Sequence, residues 1–274
     1  MIIDAHQHFW RYSADEYRWI DQRMSILRRD FLPEDLKRCG VDAVISVQAR
    51  QSLFETQWLL ELAQAHQFIR GVVGWVPLIH HDIQIELERL AVNPKLRGMR
   101  HVLQDEPDDR YMLRDDFNRG VAMLERFNLR YDILIFERHL AQTIRFVDRH
   151  PKQIFILDHV AKPRIRDRQI DPWRKLLREL AQRPNVYCKI SGMVTEADWK
   201  TWSPADLAPY FDAALEAFSP RRLMFASDWP VCLLASSYAR WVQTVRQWAA
   251  PLSAAEQQRL FAATAIEAYG LDES

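Results

Sequence analysis

The chain of 274 residues carries 37 basic and 37 acidic side chains, so it is neutral before any histidine protonates. That balance leaves no electrostatic footprint for nucleic acid or for an anionic membrane surface. The length suits one large α/β domain or two smaller ones and the 48% hydrophobic content can supply a large core; the chain is read as a single domain over residues 1–274.

The N-terminus reads Met1-Ile2-Ile3-Asp4, without a basic or apolar leader, and no uncharged apolar run approaches the ~18 residues of a membrane span. Cys39, Cys188 and Cys232 form an odd set without disulfide or metal spacing, which predicts reduced thiols in the cytoplasm. There is no Gly/Ser-rich linker, low-complexity tract or repeat.

The elements can be read in order. Ile2–His6 is the first predicted strand, and Pro33 to Gly40 reads as a helix before the strand Ala43–Gln48. Ser52-Leu53-Phe54-Glu55 is a capping box opening a helix toward Ala65. The strand Val72–Val76 follows, then a helix from Asp82 toward Ala91 and the strand Leu96–His101. Asp115–Phe127 carries Phe117, Val121 and Leu124 at helical spacing. The strand Arg130–Ile135 precedes a helix Glu137–His150 that Pro151 stops, and Ile154–Asp158 is the sixth strand. Asp171-Pro172 and Ser203-Pro204 each set a capping side chain before a proline, on either side of the strand Val186–Ile190. Leu223–Ala226 is the last strand; Ser253-Ala254-Ala255-Glu256 opens a final helix that Gly270 closes.

Strands alternating with helices imply parallel pairing, and eight such units predict a closed (β/α)₈ TIM barrel. A doubly wound sheet would show a glycine-rich phosphate turn after its first strand, where this chain has His6-Gln7-His8-Phe9-Trp10.

Reactive groups in such a barrel sit at the C-terminal strand ends. Strand one ends in His6 and His8, which share a face by strand alternation and can grip a metal or an anionic oxygen. Strand two ends in Gln48 and Arg50, strand three in Trp75 and Pro77, and strand four in Arg100-His101 with Gln104 beyond. Strand six ends in Asp158-His159, with Lys162 in the next loop, and strand eight in Ser227-Asp228-Trp229-Pro230. Lys189 lies inside the apolar seventh strand and reads as a buried partner of Asp158. Strand five shows no polar tip and is assigned to packing alone. His6, His8, a later strand-end histidine and the last-strand Asp228 would converge on one mouth.

Asp4-Ala5-His6-Gln7-His8-Phe9-Trp10, Gly98-Met99-Arg100-His101-Val102, Leu157-Asp158-His159-Val160-Ala161-Lys162-Pro163 and Ala226-Ser227-Asp228-Trp229-Pro230 together resemble the amidohydrolase superfamily. The resemblance is to its lactonase branch, which includes L-fucono- and L-rhamnono-lactonases and 2-pyrone-4,6-dicarboxylate lactonase. It implies a hydrolase that opens a small lactone, a sugar (aldono-) lactone such as L-fuconolactone or L-rhamnonolactone. The residues matching the family's active-site set are His6, His8, His159 and Asp228, and Arg100 matches its substrate-contacting arginine. Binuclear members bridge two metals with a lysine or glutamate at strand four, which is missing here. The expectation is therefore no required cofactor, or one divalent ion, zinc first among candidates, held by His6, His8, His159 and Asp228.

Ring opening needs a base for water and donors for the developing oxyanion. Asp228 is the expected base, with burial raising its pKa toward working pH. His6, His8, His159 and Arg100 would polarise the carbonyl. Gln48, His101, Trp10, Trp75 and Trp229 are the expected substrate contacts. Two rival readings are a metal-dependent decarboxylase of the same superfamily and a barrel that binds ligand without turnover.

Overall fold

Eight apolar runs form the strands β1 (Ile3–Gln7), β2 (Ala43–Val47), β3 (Ile69–Gly74), β4 (Leu96–His101), β5 (Arg130–Ile133), β6 (Phe155–Leu157), β7 (Val186–Ile190) and β8 (Leu223–Phe225). In the computed structural model, which describes residues 1–272, they pair in sequence order and every pair is parallel. The seam between first and last strands is held at the C-terminal end: Asp228 N donates to His6 O at 2.8 Å and His8 N to Trp229 O at 2.7 Å. Below it, the Asp4 carboxylate accepts the Ser227 amide at 2.8 Å. The sheet is thus a nearly closed (β/α)₈ barrel, as the element pattern predicts.

The helices α1 (Pro33–Lys37), α2 (Leu53–Ala65), α3 (Ile83–Ala91), α4 (Asp115–Leu124), α5 (Leu140–Asp148), α6 (Trp173–Ala181), α7 (Met193–Glu196), α8 (Pro204–Arg222), α9 (Tyr238–Ala249), α10 (Ala254–Gln258) and α11 (Thr264–Tyr269) fill the connections. Their apolar sides pack on the outer face of the sheet, in a continuous core that includes Leu59, Leu87, Val121, Phe146, Leu177, Phe211 and Val245. A second core fills the barrel: Ile3, Ala5, Val47, Val73, Ile156 and Met224 meet Ala262, Ala265 and Tyr269 from the C-terminal helical segment. That segment plugs the end opposite the C-terminal mouth, where Arg130 at the start of β5 donates to Ala268 O at 2.7 Å.

Some elements depart from the sequence-based expectation. β3 begins at Ile69, ahead of the predicted Val72, because Gly71 is a packed strand residue: a Cβ there would lie 2.7 Å from Arg97 Cγ. Asp171 binds the Arg174 side chain at 2.9 Å rather than capping, and the helix starts after Pro172, at Trp173. At Ser52 only half of the expected capping box forms: Ser52 accepts the Glu55 amide, but the Glu55 carboxylate turns back to the Ala49 and Arg50 amides. The box at Ser253 is complete, and Gly270 ends α11 with φ +59°. The helix α9 has no counterpart among the predicted elements; Ser237 caps it by accepting the Arg240 amide. Among the described residues no helix is long and apolar enough to cross a membrane.

Candidate active site

Ile3 and Ala5 point into the barrel, and past the register irregularity of β1 between Asp4 and Gln7 the side chains of His6 and His8 reach the interior as well; Asp4, His6 and His8 are all buried. The partners of the two imidazoles set their tautomers. His8 Nδ1 lies 2.8 Å from Val47 O, a carbonyl that can only accept, so Nδ1 carries a proton and Nε2 is the atom turned to the site. His6 Nδ1 lies 3.1 Å from Asp158 Oδ1. Burial alone would raise the Asp158 pKa, but Lys189, His6 and Arg100 outweigh it and hold the carboxyl well below its usual range. His6 therefore donates from Nδ1, and its Nε2 accepts from Arg100 Nη1 at 3.2 Å. The two Nε2 atoms face each other at 3.2 Å.

His159 arrives by a strained route. Residues His159, Val160, Ala161 and Lys162 have φ values of 54, 47, 62 and 47°, a left-handed turn without glycine. Each such residue costs roughly 1–2 kcal/mol. The turn brings both His159 and Lys162 to the cavity wall. Ser191 Oγ meets His159 Nδ1 at 2.8 Å, and Gly192 passes so close that a Cβ there would sit 2.8 Å from His159 Cβ.

Asp228 also has a positive φ, 59°, and brings Oδ1 to 3.2 Å from His8 Nε2, 3.8 Å from His6 Nε2 and 4.0 Å from His159 Nε2. The expected rise in its pKa does not occur. Burial pushes upward, yet His159, His8 and Lys162 together pull it below the ordinary aspartate value. Burial also lowers His6 and His159 well below the usual imidazole value, so both are neutral at pH 7.

Four potential ligand atoms, three ring nitrogens and a carboxylate oxygen, thus converge. His6, His159 and Asp228 offer ligand atoms within 4.8 Å of one another, with His8 Nε2 beside them, a set that fits one divalent ion. A second set, His6, Asp132 and Asp158, has the same compactness but surrounds Lys189 Nζ, which lies 3.0, 2.5 and 2.9 Å from them. Asp132 corrects the assignment of β5 to packing alone: mid-strand, it faces inward and also accepts from Tyr269 at 2.8 Å. The expected Lys189–Asp158 pair is present at 2.9 Å.

A cavity of about 400 Å³ opens above His8, Arg100, His159 and Asp228. None of the other five expected substrate contacts lines it. Trp10 is buried and donates to Arg29 O, Trp229 packs edge-on against Phe31, and Gln48 donates to Arg100 O. His101 follows the inward-facing Arg100, so alternation turns it the other way, where Trp75 donates to it. In their place the wall is made by Trp19, Arg50, Gln51, Gln104, Glu106 and Lys162. Trp19 lies in the irregular excursion between β1 and α1, which carries no periodic signal, and Glu106 lies just past β4.

A family model described as amidohydrolase matches residues 3–271. The chain belongs to the amidohydrolase family. This amidohydrolase is 46% identical, over 99% of its length and 96% of the relative's, to an L-fucono-1,5-lactonase of Burkholderia multivorans. It is 35% identical, over 98% and 96% of the two chains, to an L-fucono-1,5-lactonase of Burkholderia ambifaria. A crystal structure of an amidohydrolase from Burkholderia multivorans with bound zinc superimposes with a TM-score of 0.95 at 45% identity, covering 99% of this chain and all of the other.

Proposed function

We propose that this amidohydrolase opens the ring of a sugar lactone, an aldonolactone of the L-fucono or L-rhamnono type, by adding water to the ring carbonyl. The observation that carries the reading is the meeting of a buried, ionised Asp228 with the neutral imidazoles of His6 and His159, with His8 and with Arg100 beneath an open cavity. The names of the two Burkholderia lactonases support the substrate class. They favour neither a decarboxylase nor a barrel without turnover.

Water enters between Asp228 and the substrate. Its oxygen attacks C1 while the Asp228 carboxylate takes its proton. Charge gathers on the carbonyl oxygen, and Arg100 faces it across the cavity floor. When the C1–O ring bond breaks, the proton held by Asp228 passes to the departing ring oxygen, leaving a free hydroxy acid. His6, His8, His159 and Asp228 would hold a single divalent ion, which supplies Lewis acidity to the carbonyl and acidifies the water. Because Asp228 is a weaker base than free aspartate, the site relies on placement rather than on raised basicity.

The test is acid release from a panel of aldonolactones, with and without chelator. Hydrolysis of L-fucono-1,5-lactone or L-rhamnonolactone is expected, with part of the activity surviving chelation. Carbon dioxide release from aromatic acids, with every lactone inert, would replace the reading with the decarboxylase one.

A further inference from the structure

Sugar lactones differ from other lactones in their hydroxyls, and the wall above β4 is furnished to read them. Glu106 lines the cavity with its side chain one-fifth exposed. Its Oε1 accepts from His101 Nε2 at 2.6 Å, and its Oε2 has no partner among the described residues. His101 is itself fixed. Trp75 Nε1 donates to His101 Nδ1 at 3.3 Å, which puts the imidazole proton on Nε2, toward Glu106. The Tyr111 ring lies flat on the imidazole, with centroids 5.1 Å apart and planes 9° from parallel. A carboxylate held by one oxygen with the other free is built to accept hydroxyl hydrogens.

Its neighbours match that use. Gln104 Oε1 has no partner among the described residues, and the Gln51 carbonyl is taken by the Val102 amide, which leaves the Gln51 NH₂ to donate. Asp105 adds a second carboxylate to the same wall. Across the cavity, Arg50 is engaged by Glu16 at 2.5 Å and Arg100 by Asp158 at 3.1 Å. Among the described residues Lys162 has no ion pair, but its charge acts on Asp228 and Glu196. A substrate carrying its own carboxylate against Glu106 and Asp105 would meet like charge.

We propose that Glu106 selects neutral polyhydroxylated lactones, its free Oε2 accepting substrate hydroxyls, and that His101 is the positioning residue that aims it. This rests on the lactonase reading and sharpens its substrate class. It also explains what His101 and Trp75 do behind the wall.

The experiment compares Glu106→Ala with wild type on a hydroxylated aldonolactone and on δ-valerolactone, which has the reacting ring without the hydroxyls. A lost hydrogen bond to a charged group predicts a fall of about 10–100-fold in kcat/KM on the aldonolactone, mostly in KM, and under about threefold on δ-valerolactone. Adding His101→Phe to Glu106→Ala should lower the aldonolactone rate no further, although His101→Phe alone lowers it. Glu106→Gln should narrow the preference for the aldonolactone over a lactone bearing a carboxylate. Equal losses on both lactones, or additive effects of the two substitutions, overturn the proposal and leave the lactonase reading standing. A wild type that opens δ-valerolactone but no hydroxylated lactone overturns the proposal and the sugar substrate with it, leaving lactone hydrolysis alone standing. A wild type that opens no lactone at all overturns the function itself, and this inference with it.

Discussion

Two clusters of donors share His6 and are equally compact, yet they are opposites chemically. The lower one, His6 with Asp132 and Asp158, encloses the ammonium of Lys189. Two carboxylates meet two cations there, since Arg100 also binds Asp158 at 3.1 Å. Burial raises Asp132 to about 6 against the pull of Lys189, while Asp158 stays ionised between Lys189, His6 and Arg100. The upper cluster, His6, His8, His159 and Asp228, has no ammonium at its centre and opens on the cavity. Spacing alone makes both look like metal sites; the chain's own cations separate them. The lower layer is scaffold, and the upper layer is left wanting a positive charge.

The contrast can be broken most sharply at Asp228. Asp228→Asn keeps the shape but cannot take a proton, so kcat should fall by about 10²–10⁴-fold while the melting temperature barely moves. The lowered pKa of Asp228 adds a sign: its ionised form persists below the ordinary 3.8, so a wild-type rate loss caused by Asp228 should set in below that pH, as pH drops. A steady-state pH profile and a thermal melt check both. Lys189→Met should do the reverse. It leaves Asp132 and Asp158 buried without their ammonium and should destabilise the fold by about 3–5 kcal/mol in denaturant titration. Elemental analysis should meanwhile find no more than one divalent ion per wild-type chain, since Lys189 fills the second set. Smaller still is Gly192→Ala. With φ +65° and His159 at 2.8 Å from the new Cβ, it should cost about 1 kcal/mol of stability. By displacing His159 it should also lower kcat by about 10-fold. If Gly192→Ala is fully active, His159 does not need its tight seat.

Much of this was readable from the chain because it depends on near neighbours. His6 and His8 share a face by strand alternation, and the apolar run Leu223-Met224-Phe225 delivers Asp228 to the rim. Lys189 was recognisable as a buried partner because a lysine inside an apolar strand must find a carboxylate. What stayed hidden depends on the third dimension. Asp132 sits between apolar residues of β5 and shows its purpose only beside Lys189 and Tyr269. Trp19 reaches the cavity from a stretch with no periodicity, edge-on to Trp10 at 5.8 Å. His101 was expected at the substrate because it stands at a strand end, but the parity that turns Arg100 inward turns His101 away, onto Glu106.

Tyr269 gives the molecule a sense of time. Its hydroxyl reaches up through the barrel floor to Asp132 at 2.8 Å, and its ring lies 5.5 Å from Lys189 Nζ. During synthesis all eight strands leave the ribosome before it does, since β8 ends at Phe225. A nascent chain can therefore pair its strands while the Asp132–Lys189 pair is still open from below to water. The last turn of α11 is what dries that pair, so the final drying of the barrel interior comes after the last strand has emerged.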